Sequence, residues 1–398
     1  MATPDQFTYP IDITHNDNNE SKIVLITGIN GYIASHIALL LLRKGYTVRG
    51  TSRSESTPTR LLAQSAFQPF ASTSRLQHFV VSEITVPGAF DEAVHGVHAI
   101  IHTASPVNFR LRTVDEFFQP AIGGVQSIVQ SAYVENRDLG GKIASFVQLS
   151  SIAAIADKWR FPPISEGGSE NRAYAEDDWN ESGEAVARNS EKDGTFLAPV
   201  AYGASKAAAE RAMWKFVDNA SQSDGQWVGP ACTSINPGVV TGPPVNWPDS
   251  PEKLNETLLP VWNIWSGKCK AEGRLPPQIG GATYIDVRDV AALHVWAMEH
   301  PEQSGGQRYL ATNGKAPPQG IADTIRKQYA HEDKVVDRII LGEEGRGYAT
   351  AFGWPGDEPT LKATKAYRAL HVESFRGFEE SIGDTIEAFR RQWPDLSL

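Results

Sequence analysis

Between residues 22 and 240, short runs of β-branched and apolar residues alternate with stretches of helical periodicity, and no other feature constrains the fold as much. "IVLIT" (23–27), "TVRGTS" (47–52), "LQHFVV" (76–81), "HAIIHTA" (98–104), "IASFVQLSS" (143–151) and "ACTSINPG" (231–238) have the length and residue types of buried strands. "SHIALLLLRKG" (35–45) and stretches near 87–95, 115–137 and 201–222 read as the helices between them. Strands joined through helices lie parallel, and a parallel sheet has to be covered on both faces. The expectation is an α/β fold built on a doubly wound parallel sheet.

Past residue 240 the pattern changes. "TGPPVNWPDSPEKLNETLLP" (241–260) is rich in Pro and reads as the start of a smaller C-terminal lobe that binds substrate. "ATYIDVRDVAALHVWAMEH" (282–300) reads as a strand and helix returning to the main sheet. The expected domains are an N-terminal arm (1–21), a dinucleotide-binding body (22–240, with 282–312 returning to it) and a lobe made of 241–281 and 313–398. The arm is polar and is expected to be mobile or loosely docked. The longest apolar run, "IALLLL" (37–42), is far shorter than a membrane span. A net charge of −10, with no basic block interleaved with aromatics, argues against nucleic acid as a partner. Two cysteines, Cys232 and Cys269, provide neither a disulfide framework nor a metal quartet. The expected protein is cytoplasmic, metal-free, and a monomer or homodimer.

"TGINGYIA" (27–34) joins the first strand to the first helix, with Gly28, Gly31 and Ala34 at three-residue spacing. Glycine permits the tight turn and the close approach of backbone to a pyrophosphate, and the helix N-terminus then offers N–H groups to the anion. The turn makes the sheet Rossmann-type. The second strand ends in "VRGTSRS", where a reader of the NAD ribose would be acidic. Here Arg53 stands at the tip, with Arg49 nearby and Glu55 the first acid. A guanidinium fork matches a 2′-phosphate, so NADPH is the expected cofactor.

"AYGASKAAAE" (201–210) places Tyr202 and Lys206 one helical turn apart. A phenol is a poor acid near neutral pH, and a neighbouring ammonium is expected to lower its pKa while also holding the cofactor ribose. "QLSSIAA" ends the fifth strand with Ser150 and Ser151, where a hydroxyl can donate to a substrate carbonyl. Strand ends are where ligands of such sheets bind.

These segments resemble the extended short-chain dehydrogenase/reductases, and within them the dihydroflavonol reductase-like group with its fungal and yeast NADPH-dependent aldehyde and ketone reductases. The resemblance runs over about residues 22–390, through "TGINGYIAS", "YTVRGTSRS", "GAFDEAVHGVHAIIHTASPV", "PAIGGVQSIV", "YAEDDWN", "YGASKAAAE", "INPGVVTGPP" and "YIDVRDVAALHVWAME". It implies Ser151, Tyr202 and Lys206 as the catalytic set. It implies cofactor contacts from Thr27, Gly28, Asn30, Gly31, Tyr32, Ile33, Arg53, Glu83, Ile84, Thr103, Ala104, Ser105, Lys206, Pro237, Gly238 and Val239. Ser105, Val107, Ser151 and Tyr202 would face substrate. Two positions depart from the family pattern: Glu83 stands where the adenine-reading residue is usually Asp, and the third motif glycine is Ala34.

The implied function is NADPH-dependent reduction of an aldehyde or ketone, with Tyr202 as general acid. Trp247, Leu259, Trp262 and Trp265 in the lobe suggest a mid-sized, largely apolar substrate, a natural-product intermediate among the options. The alternatives are an NAD(P)-dependent epimerase/dehydratase of the same superfamily and a non-catalytic NADPH-binding regulator. For a sugar diphosphate only Lys253, Lys268, Lys270 and Arg274 are at hand in the lobe, and Arg53 disfavours NAD. The segment between Ser151 and Tyr202 is longer than the family's usual gap. Its stretches "RFPPISEGGSENRA" and "ESGEAVARNSEKDGTF" read as polar loop, and Trp159 and Phe161 could make it a lid.

Overall fold

In a computed structural model of the chain, the described residues are 8–105, 109–157, 173–278, 283–315, 317–342 and 360–396. Val107, Trp159, Phe161 and the 164–172 stretch, named above for a substrate contact and a lid, lie outside them. The first half runs β1 (Ile23–Thr27), α1 (Tyr32–Arg43), β2 (Thr47–Ser52), α2 (Thr57–Leu62), β3 (Leu76–Val80), α3 (Asp91–Val94), β4 (Ala99–His102), α4 (Val114–Asp138) and β5 (Ser145–Leu149). Then follow β6 (Ala173–Tyr174), α5 (Gly183–Lys192), α6 (Ala198–Asp224), β7 (Ala231–Pro237), β8 (Val239–Thr241), α7 (Leu258–Trp265), α8 (Lys268–Glu272), β9 (Tyr284–Asp286), α9 (Val287–Glu299), α10 (Pro301–Ser304) and β10 (Gln307–Ala311). The chain closes with α11 (Pro318–Gln328), α12 (Asp333–Arg338), β11 (Thr360–Leu361), α13 (Thr364–Leu370) and α14 (Phe378–Gln392).

Seven parallel strands form the main sheet in the order β3-β2-β1-β4-β5-β7-β10. The strand order reverses between β1 and β4, and a crevice opens above their C-terminal ends, the usual ligand position in such a sheet. Period-two alternation sorts the side chains. Val24 and Ile26 of β1, Ile101 of β4 and Val147 of β5 join the core under α1 and α9. Leu25, Ile100 and Phe146 point the other way, into the core under α4 and α6. Both faces are covered, which is why these strands read as unbroken apolar runs. A capping box between Thr113 and Glu116 starts α4, and Gly225, at φ 76°, ends α6.

Several expectations are corrected. The strand at 284–286 does not return to the main sheet; it pairs with β8 in a separate two-stranded sheet, and β10 supplies the seventh strand. α9, just after it, does pack under the main sheet. The "ESGEAVARNSEKDGTF" stretch is not all loop, because α5 buries Ala187 against α4 and α6. Residues 363–375, expected in the lobe, contribute Ala363, Ala366, Leu370 and Phe375 to the core under the main sheet. From residue 8 onward the N-terminal arm is docked: Tyr9 is buried with its hydroxyl 3.1 Å from His36 Nδ1, and Asn19 donates to the Lys44 carbonyl at 3.0 Å.

The lobe gathers α7, α11, α12 and α14 around its own core. Trp265 and Trp262 are buried in it, and Trp262 meets Phe389 and Trp393 edge-on at 5.3 and 5.2 Å. Trp262 and Trp265 hold the lobe together. Among the described residues, no helix is long and apolar enough to cross a membrane.

Candidate active site

The glycine turn is tied to the end of β4. Buried Thr27 is the knot: its Oγ1 accepts from the Thr103 and Ala104 N–H groups, both at 3.0 Å, and lies 2.9 Å from His102 Nδ1. Thr103 Oγ1 in turn donates to the Thr27 carbonyl. The Thr27 and Thr103 hydroxyls are thus engaged within the scaffold. Gly28 has φ +67°, and a Cβ there would stand 3.2 Å from Ala104 Cα, so both conformation and space call for glycine. Gly31 is the N-cap of α1 and provides no side-chain cap, which leaves the first-turn N–H groups to an incoming anion. Tyr32 turns toward the lobe and donates to the Gly242 carbonyl at 2.7 Å, and half-buried Ile33 packs on the core. Asn30 is exposed, and its carbonyl accepts from Asn246 at 2.8 Å. Beside the turn is a cavity of about 310 Å³, lined by Asn30, Gly31, Thr57, Arg60, Trp247 and Lys253 among others. Arg60 and Lys253 each pair with Asp249 at 3.2 Å.

The arginine within β2 and the one just beyond its end have different fates. Arg49 is buried and structural: it donates to Gln77 at 3.0 Å and to the Ala93 and His95 carbonyls at 2.8 and 2.7 Å. Arg53 is exposed at the strand tip, without a hydrogen-bond or ion-pair partner among the described residues. Glu83 is exposed as well, its carboxylate accepting from the Thr85 N–H and hydroxyl at 3.0 and 2.8 Å. Those bonds hold its pKa below the usual carboxylate value. Ile84 fits against Gly124 of α4, where a Cβ would come within 2.8 Å of its Cδ1. The "GG" of "PAIGGVQ" therefore seats the loop after β3.

Ser151, Tyr202 and Lys206 come together at the end of β5. Ser151 caps a short 3₁₀ turn, its hydroxyl accepting from the Ala153 N–H at 3.1 Å, and its side chain lies close enough to the Tyr202 phenol to influence it. Ser150 points away and donates to Glu210 at 2.7 Å. Burial raises the Tyr202 pKa, and the nearby Ser151 hydroxyl opposes the rise. The expected lowering by Lys206 is not among these influences, because the ammonium donates to the Leu149 carbonyl at 2.9 Å instead. Lys206 is itself buried, and desolvation brings it down to about 8 against the raising influence of Glu210. His102 beneath it is driven to about 3 by burial and then by the Lys206 charge, so it is neutral. The Phe109 ring meets Tyr202 edge-on at 5.5 Å, forming a wall beside the phenol.

Ala104 and Ser105 are half-buried after β4. Pro237 ends β7; Gly238 N–H donates to Ala311 at 2.9 Å and Val239 N–H to Thr283 at 3.3 Å, which holds this strand end across the crevice. The sequence reading did not assign Glu210, Asn236, Arg308 or Phe109. Glu210 was the most accessible of the four: it follows Lys206 by one helical turn on an alanine-rich, buried face, where a lone carboxylate requires a partner.

Against known proteins, the chain matches the model of the NAD dependent epimerase/dehydratase family over residues 24–311. It is 29% identical to the NADPH-dependent methylglyoxal reductase of Saccharomyces cerevisiae over 371 residues, 91% of this chain and 96% of that one. It is 31% identical to a ketoreductase of Aspergillus niger over 382 residues, covering 94% and 98%. The crystal structure of the yeast methylglyoxal/isovaleraldehyde reductase complexed with NADPH superimposes with a TM-score of 0.76 at 26% identity, covering 94% of this chain and 99% of that one.

Proposed function

The chain belongs to the NAD dependent epimerase/dehydratase family, and we propose that within it the protein is an NADPH-dependent carbonyl reductase that converts an aldehyde or ketone to the alcohol. The observation that carries this reading is the convergence, at the end of β5, of Ser151 on its 3₁₀ turn with the α6 segment that carries Tyr202 and buried Lys206, whose ammonium reaches the Leu149 carbonyl at 2.9 Å. The NADPH-dependent methylglyoxal reductase and the ketoreductase among its relatives support the same reaction class.

The residues present suit NADPH. Gly28 and Gly31 leave room for the pyrophosphate at the α1 N-terminus, and unpaired Arg53 takes the 2′-phosphate. Arg60 and Lys253 add charge at the adjoining cavity. Glu83 and Ile84 border the adenine, and Ala104, Ser105, Pro237, Gly238 and Val239 border the rest of the cofactor. Bound NADPH supplies the hydride. Ser151 donates to the carbonyl oxygen and steadies it as charge develops, and Tyr202 delivers the proton. Lys206 orients the ribose. Ser105 and Phe109 shape the wall beside the reacting carbonyl. The protein acts in the cytosol on small carbonyl compounds, as a monomer or homodimer.

The test is NADPH and NADH oxidation with a panel of aldehydes, ketones and UDP-sugars. Turnover of carbonyls with a preference for NADPH is expected. Conversion of UDP-sugars without net oxidation of NADPH would replace this reading by the epimerase one, and binding of NADPH with no turnover would make the protein a regulator.

A further inference from the structure

Behind the reacting side chains lies a buried polar cluster that the chemistry does not use. Glu210 of α6 is fully buried, yet its carboxylate accepts from Ser150 Oγ (2.7 Å), Asn236 Nδ2 (2.8 Å) and Arg308 Nε (2.5 Å). Asn236, also fully buried near the end of β7, uses the same Nδ2 to donate to the Ser151 carbonyl at 3.1 Å, while its Oδ1 accepts from Ser234 at 3.2 Å. Arg308 of β10 has a second role, donating to the Glu176 and Asp178 carbonyls at 2.5 and 2.7 Å. Two residues on, Asn180 donates to the Ala153 carbonyl from its side chain and to Ala154 from its backbone, both at 2.9 Å. The turn carrying Ser151 is thereby gripped from two sides. Asn236 joins that turn directly to a carboxylate on the helix that carries Tyr202 and Lys206, and Ser150 ties the residue just before it to the same carboxylate.

We infer that Asn236 is a positioning residue: its carboxamide, held on Glu210, fixes the Ser151 backbone through its carbonyl and so keeps the Ser151 hydroxyl in register with Tyr202 for reduction of the carbonyl. The inference rests on the reductase reading. Removing the carboxamide leaves Ser151 on its turn but takes away the tie between its backbone and α6, so the turn can shift relative to the phenol. Geometry at the reacting oxygen suffers, while the glycine turn and Arg53, which lie elsewhere, do not.

The test is a double-mutant cycle of Asn236→Ala and Ser151→Ala, read as kcat, KM for NADPH and melting temperature. Asn236→Ala is expected to lower kcat about tenfold in the wild-type background, with KM for NADPH within about twofold, and to add almost nothing in the Ser151→Ala background. The same fold loss in both backgrounds would make Asn236 a structural residue and overturn the inference, as would an unchanged kcat or a loss confined to KM for NADPH. Where Asn236→Ala does not fold, Asn236→Ser enters the same cycle, since its short hydroxyl cannot span both acceptors. If Ser151→Ala alone keeps wild-type kcat, the catalytic reading itself falls and the inference with it. A deep loss in Ser151→Ala with an additive Asn236 effect removes the inference alone.

Discussion

Gly28 and Gly96 form a natural pair for measuring what the cofactor turn demands. Both hold the left-handed conformation, at φ +67° and +70°. A Cβ on Gly96 would meet nothing within 4 Å, whereas one on Gly28 would stand 3.2 Å from Ala104 Cα and 3.3 Å from its Cβ. Gly96→Ala therefore carries the conformational penalty alone, about 1–2 kcal/mol. Gly28→Ala carries the same penalty plus a contact with backbone, which is relieved only if the end of β4 retreats by a few tenths of an ångström. That retreat pulls on the Thr27–Thr103–Ala104 knot and shifts the turn along the path proposed for the pyrophosphate. In a chain of this length 1 kcal/mol moves Tm by roughly 1 °C, so Gly96→Ala should fall by about 1–2 °C and Gly28→Ala by more. NADPH affinity, followed by fluorescence titration, should be unchanged in Gly96→Ala and about tenfold or more weaker in Gly28→Ala, a loss of about 1.4 kcal/mol. Equal Tm losses with unchanged NADPH binding in both variants would refute the argument that close approach, beyond backbone freedom, places glycine at 28.

Other outcomes follow from the same geometry. Tyr202→Phe should lower kcat by about 10²–10⁴-fold with NADPH affinity near wild type; single-turnover activity above roughly a third of wild type would remove Tyr202 as the acid. Arg53→Glu should weaken NADPH far more than NADH by titration calorimetry, and equal losses would mean that Arg53 does not read the 2′-phosphate. Asp289 is buried, and burial followed by the nearby Asp286 charge raises its pKa to about 7. The unfolded chain loses that proton near the ordinary carboxylate pKa, so the stability this group contributes declines as pH climbs from about 4 through 7. Asp289→Asn keeps an acceptor for the Arg376 N–H, 2.8 Å away in the native chain, and should gain Tm over wild type at pH 8 but not at pH 5. A difference between the two proteins that does not change with pH would contradict this.

The sheet was legible because its signals are local. Period-two alternation and strand length come from neighbours in the chain, and "TGINGYIA" announces its own turn. β10 was missed because "QRYLA" (307–311) is short and split by Arg308, whose charge reads as surface until Glu210 is seen opposite it. α5 was read as loop because its helical period rests on one buried alanine among charges, and the surface that buries it comes from α4 and α6. The lobe tryptophans look alike as core and as pocket wall in sequence; only the packing of Trp262 on Phe389 and Trp393, some 130 residues later, decides between them. In the site, Ser151, Tyr202 and Lys206 could be named from their order and spacing. Choosing Ser151 over Ser150 drew on resemblance, and the physical reason lies in Glu210, which takes the first serine away. Arg49 and Arg53 are four residues apart in the chain, and nothing in their spacing says that one is spent on the Ala93 and His95 carbonyls.

The Glu210–Arg308 pair also bears on the order in which the protein becomes competent during synthesis. Serine, tyrosine and lysine have all been joined to the growing chain by residue 206, and Glu210 follows at once, yet its counter-charge is added nearly a hundred residues later. Until β10 docks on β7, the nascent chain carries a carboxylate aimed at a dry interior with the neutral donors Ser150, Trp214 and Asn236 to meet it and no counter-charge from Arg308, and burying it in that state is unfavourable. The edge of the sheet at β7 thus stays open, and α6 stays incompletely seated, until the last main-sheet strand is made. A chain halted before residue 308 would hold all three reacting side chains and remain inactive.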